Sequence, residues 1–117
     1  MTPSIPEQNK VLVLRAFDLL FNKRDYAAAE KFWSPHYIQH SAHIDPGREG
    51  LFKLIESLPA TLRYEAGLVV AEGDVVIAQG RFSGFGAVMN WIVADILRIQ
   101  DSMRRKYQTF GARLQLG

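Results

Sequence analysis

The stretch Ala87-Val88-Met89-Asn90-Trp91-Ile92-Val93-Ala94-Asp95-Ile96-Leu97-Arg98-Ile99 is rich in β-branched and apolar residues and reads as a strand. Alternation along it puts Trp91, Val93, Asp95, Leu97 and Ile99 on one face, and Ile92, Ala94, Ile96 and Arg98 on the other. Asp95 therefore shares its face with four large apolar side chains. A carboxylate in such surroundings is desolvated, which favours its protonated form unless a cation or several donors hold it ionised. That is the profile of a general acid or base. The structural alternative is a buried ion pair with Arg81 or Arg63 from a neighbouring strand, which would perturb the carboxyl without any catalysis.

Two more strands precede this one. Leu62 to Ala71 and Val75 to Phe82 have the same composition, with Glu72-Gly73-Asp74 as the turn between them and Ser83-Gly84-Phe85-Gly86 as the turn into the next. Upstream the period changes to that of helices. Val11, Leu12, Leu14, Ala16, Phe17, Leu19, Leu20 and Phe21 recur at helical spacing over 7–21, with Pro6 suited to the first turn. Asn22-Lys23-Arg24 reads as a turn and Asp25 as the N-cap of a second helix over 26–33, which Ser34-Pro35 ends. Leu51, Leu54, Ile55 and Leu58 make a third stripe, after the Asp45-Pro46-Gly47 turn and before Pro59. Helices first and hairpin-linked strands afterwards predict an α+β domain with an antiparallel sheet.

The chain has 117 residues, 48% of them apolar, which suits a single domain over 1–117 with one core. The proline-containing start lacks an apolar leader and no apolar run is long enough to span a bilayer, so the expectation is a cytoplasmic protein without a membrane partner. Cysteine is absent, which removes disulfides, thiolate metal sites and a cysteine nucleophile. The net charge of +2 is unevenly distributed: Arg104, Arg105, Lys106 and Arg113 lie in an acid-free segment over 103–117, and the remainder is slightly acidic. A single basic tail is a weak footprint for nucleic acid, and none is expected as a partner.

All three histidines, His36, His40 and His43, fall between Pro35 and Ile44. Three imidazoles suggest a metal, but in a strand His36 and His40 share one face while His43 takes the other. No metal site is expected.

Tyr37-Ile38-Gln39-His40-Ser41, Pro46-Gly47-Arg48-Glu49-Gly50, Ala71-Glu72-Gly73-Asp74-Val75-Val76 and Val93-Ala94-Asp95-Ile96-Leu97-Arg98, in this order, resemble the SnoaL-like polyketide cyclases. These belong to the superfamily of nuclear transport factor 2 and ketosteroid isomerase. The resemblance spans roughly 8–101 and implies a cone-shaped, curved sheet closed by the N-terminal helices. It also implies that Asp95 is the acid/base of a pocket lined by His40 and Tyr37, and that no metal or organic cofactor takes part. His40, Tyr37 or Asn90 would then donate to the oxygen of an enolate, and Trp91 with the phenylalanines would wall in a hydrophobic, polyketide-like carbonyl substrate.

The chain departs from the family pattern at its end, where a return strand with Glu-His-Trp is common. Here Gln100-Asp101-Ser102-Met103-Arg104-Arg105-Lys106-Tyr107 follows instead. Met103, Tyr107, Phe110 and Leu114 fit a helical stripe, whereas the family topology asks for a strand. This departure supports a second reading, a non-catalytic module that binds a small molecule or forms a homodimer through the sheet face carrying Ile92, Ala94 and Ile96.

Overall fold

The computed structural model describes residues 5–40, 47–84, 90–101 and 108–116. Helix α1 (Ile5–Phe17) continues into a π-helical turn, Asp18–Asn22, and is followed by the short α2 (Tyr26–Ala29) and a 3-10 turn, Glu30–Phe32. Strand β1 (Trp33–Gln39), helix α3 (Gly47–Ser57) and strands β2 (Arg63–Glu72), β3 (Val75–Ser83), β4 (Trp91–Asp101) and β5 (Gln108–Leu116) complete the order. The strands form one sheet in the order β1-β5-β4-β3-β2. All neighbours are antiparallel except β1 and β5, which run parallel.

The helices form where their apolar spacing can face the sheet. Val13, Ala16, Phe17, Leu20 and Phe21 repeat at three and four residues, and all five are buried. Asp25 caps α2 by accepting the Ala28 N–H at 3.1 Å. The chain leaves α1 through Arg24, which takes a left-handed backbone with φ 53°. Its guanidinium then reaches the segment just after α3, donating to the carbonyl of Leu58 at 3.1 Å and to that of Pro59.

Aromatic rings fill the space between helices and sheet. Trp33 is fully buried, lies nearly parallel to Phe17 at 6.4 Å between centroids, and meets Phe52 of α3 edge-on at 5.7 Å. Phe21 meets Phe82 of β3 edge-on at 4.9 Å. The sheet thus has an inner face against α1 and an outer face away from it.

Bulges change the strand phase. In β2, Ala66 pairs with Gly80 and Val69 with Ala78, so three residues of β2 span two of β3. The inward positions shift from Leu62 and Tyr64 to Val69 and Ala71, which pack on the core. In β5 the extra residue falls at Gly111, between the pairings of Phe110 and Ala112. Each bulge bends its strand, which curves the sheet. Gly73 supplies the positive φ, 58°, of the tight turn between β2 and β3.

The expected helices and strands are present, with ends shifted by a few residues. The second helix is shorter than expected, because β1 already starts at Trp33. The C-terminal segment is a strand over Gln108–Leu116. Among the described residues no helix is long and apolar enough to cross a membrane.

Candidate acid/base site

Asp95 sits in the middle of β4, with the Cα of Ala78 opposite it on β3 and that of Gln115 opposite it on β5. It is 0% exposed. Val93 and Leu97 flank it along β4, and Val76 and Ala78 lie beside it on β3, all buried. The alternation read from the sequence therefore holds in the structure. Removal from water penalises the ionised carboxylate.

The two arginines considered as structural partners belong to other surroundings. Arg81 projects from the outer face of β3 and donates to Glu65 Oε2 at 3.1 Å. Arg63 is exposed at the start of β2, where it donates to the carbonyls of Leu62 at 2.7 Å and Ala60 at 3.3 Å.

The remaining expected site residues distribute unevenly. Tyr37 is buried on β1 and joins the core. Ile38, next along the strand, is 55% exposed, and His40 is exposed just past the strand end, so Tyr37 and His40 occupy different environments. Asn90 is exposed at the entry to β4. Trp91 is half-buried, with its ring 5.9 Å from that of Phe82. His43 and the side chain of His36 lie outside the described residues.

Tyr64 is the polar residue that strand reading passed over. It lies on β2 opposite Phe82, and its ring is enclosed by Phe17 at 5.3 Å, Phe21 at 5.5 Å and Phe82 at 4.9 Å. Its hydroxyl end rests on β3 at Gly80, where a Cβ would collide with Oη, Cζ and Cε1. A tyrosine one step diagonally from a glycine on the next strand was a legible signal, since an aromatic ring often covers such a gap.

The backbone of Tyr64 is held from the helical layer. Its N–H donates to Asn22 Oδ1 at 2.7 Å, and Asn22 Nδ2 donates to its carbonyl at 3.0 Å. Asn22 Nδ2 also donates to Asp18 Oδ1 at 2.9 Å. That hydrogen bond, with the nearby Lys23 ammonium, holds the Asp18 carboxyl below its ordinary value against a smaller opposing effect of burial.

Two surface grooves are bounded by described residues. One, of about 500 Å³, runs along the β2–β3 hairpin between Val70, Glu72, Val75 and Ile77. The other, of about 310 Å³, lies between Glu30 and the Arg48, Phe52 and Glu56 side of α3. Asp95 lines neither.

A helix-covered, bulged sheet with a buried carboxyl on its inner face defines an α+β fold of the nuclear transport factor 2 type. The chain belongs to the SnoaL-like domain family, whose model matches residues 13–105. Among the solved structures that share the fold, three differ in the activity their names give. A candidate ketosteroid isomerase from Kribbella flavida superposes with a TM-score of 0.76 at 14% identity, over 94% of this chain and 77% of its own. A candidate polyketide cyclase from Bacillus cereus gives 0.75 at 17% identity, over 92% of this chain and 73% of its own. An epoxide hydrolase of the LEH-like type from M. tuberculosis gives 0.72 at 10% identity, over 96% and 84%. No curated protein matches the sequence. At these identities the likeness is one of fold, and three different activities on one fold leave the chemistry to be argued from the site.

Proposed function

We propose that the chain is a small enzyme that moves a proton at carbon beside the carbonyl of a hydrophobic substrate, as an aldol cyclase or an isomerase does. The observation that carries this reading is the complete burial of Asp95 on an apolar sheet face. As a carboxylate, Asp95 takes the proton, and the electron pair left on carbon moves onto the carbonyl oxygen as an enolate. Asp95 then returns the proton to carbon, or the enolate carbon attacks a second carbonyl and the alkoxide that forms takes the proton from Asp95. Tyr37 on β1, part of the same buried core, would supply a hydroxyl, and Trp91 with Phe82 offers an aromatic wall. His40 and Asn90, both exposed, fit the rim of such a site and would meet the substrate as it enters. The residues named need no organic cofactor or metal for this step.

The test is hydrogen–deuterium exchange beside the carbonyl in a panel of hydrophobic ketones, followed by proton NMR in D₂O. Wild-type protein should catalyse exchange on at least one ketone, and Asp95→Asn should lower that rate by about 100-fold or more. Equal rates would remove Asp95 from the chemistry.

A second reading rests on the outer face, where Leu68, Val70, Ile77 and Ile92 are all exposed apolar residues. Such a patch suits a homodimer through the sheet. It is compatible with the enzyme reading and also with a module that only binds a small hydrophobic molecule.

A further inference from the structure

We infer that the Tyr64 hydroxyl is a second polar group of the Asp95 site, carried across the sheet over Gly80 and held there by Asn22. The inference rests on the reading of Asp95 as the acid/base and adds a positioning residue to it.

Register puts the positions of the two groups on neighbouring points of the inner face. Gly80 pairs with Val93 and Ala78 pairs with Asp95, so Gly80 and Asp95 are diagonal neighbours on the inner face. Diagonal positions on one sheet face are about 7–8 Å apart or somewhat less, within reach of long and aromatic side chains. The Tyr64 hydroxyl occupies the volume where a side chain at position 80 would begin. Its own strand position is further away, opposite Phe82. Glycine at 80 thus moves a phenol one strand towards Asp95.

The surroundings make such a contact selective. Phe17, Phe21 and Phe82 pack around the ring, so the hydroxyl lies at the polar end of an otherwise apolar box. A phenol can donate to an ionised carboxylate and accept from a protonated acid, so it suits either protonation state of Asp95. In low-dielectric surroundings that orientation is enforced more strongly than in water. Asn22 fixes the backbone of Tyr64 at both its N–H and its carbonyl, which holds the ring at one height above the sheet.

Protein labelled with ¹³C at tyrosine Cζ and at aspartate carboxyl carbons, held at one neutral pH, reads the pair from both sides. Asp95→Asn should shift the Tyr64 Cζ resonance while leaving that of Tyr26 unchanged, with Leu97→Val as the packing control. Tyr64→Phe, which removes one oxygen and keeps the ring, should shift the Asp95 carboxyl resonance, so the result does not depend on Asp95→Asn folding. In the ketone exchange assay Tyr64→Phe should slow exchange by about 10-fold and alter its pH profile. A Tyr64→Phe variant whose Asp95 resonance moves no more than in Leu97→Val would overturn the inference. Loss of coupling with exchange still dependent on Asp95 would reject Tyr64 alone; coupling present with exchange independent of Asp95 would instead reject the acid/base reading.

Discussion

Asn22 closes a two-point hydrogen-bonded ring with the backbone of Tyr64, accepting its N–H at 2.7 Å and donating to its carbonyl at 3.0 Å. Strand β2 is the edge of the sheet, so its outer backbone groups have no strand partner on that side. One side-chain amide at the end of the first helical segment stands in for that partner. The Asp18 carboxylate accepts from the same amide nitrogen and thereby fixes which end of Asn22 is oxygen. Helix, edge strand and the Tyr64 ring are thus connected through a single side chain.

Replacing Asn22 by alanine leaves the Tyr64 backbone groups without this partner, and the expected loss is about 1–3 kcal/mol of stability. Denaturant unfolding measures it. An unchanged midpoint would mean that water serves the edge equally well.

The bond from Asn22 to Asp18 predicts a pH effect. The folded Asp18 carboxyl is held below its ordinary value, first by Asn22 and then by Lys23, so the stabilisation is present above the unfolded aspartate pKa and is lost as pH falls through the folded one. In Asn22→Ala the Asp18 carboxyl, followed by carbon NMR, should titrate at higher pH than in wild type. Because this aspartate is about half exposed, at 47%, the effect on unfolding is small.

At Gly80 a methyl group meets the Tyr64 ring. Gly80→Ala should cost about 1–3 kcal/mol as overpacking. In a Tyr64→Ala background the same change should cost much less, because the obstructing ring is gone. A double-mutant cycle in thermal or chemical unfolding reads the difference; additive costs would show that the ring already has room to move aside.

Arg24 combines a left-handed backbone with two bonds to the carbonyls of Leu58 and Pro59, just after α3. Arg24→Ala loses the bonds and keeps the backbone penalty, whereas Arg24→Gly loses the bonds and relieves it. Glycine should therefore be more stable than alanine here by about 1 kcal/mol. Equal unfolding midpoints would contradict this account of the turn.

Trp33 carries the largest fully buried side chain of the core. Trp33→Ala should destabilise by about 3–5 kcal/mol, seen as a large fall in melting temperature. A loss below about 1 kcal/mol would mean that Phe17 and Phe52 collapse into the space.

Much of this arrangement is legible in the residue order because each inner strand is strictly alternating where it matters. Val76, Ala78 and Phe82, and Val93, Asp95 and Leu97, are all buried, as their spacing predicts. Asp25 announces its cap and Gly73 its turn. The bulge in β2 was not legible, since nothing in Ala66-Gly67-Leu68 forces the extra residue, and it reverses the face of everything from Val69 onwards. Asn22 reads as a turn residue, yet its role depends on a strand about forty residues away. The spread of the histidine stretch has a similar cause: it spans the end of β1, so alternation constrains Tyr37 and leaves His40 exposed just past the strand.

Whether Asp95 is a proton-exchanging carboxyl is read from its titration, followed at the carboxyl carbon with each aspartate assigned by substitution. Asp95 should titrate above an exposed aspartate, since burial among Val93, Leu97 and Ala78 penalises its charge, and a bound hydrophobic ketone should shift it further. A value at or below that of an exposed aspartate, unmoved by such ligands, would contradict it.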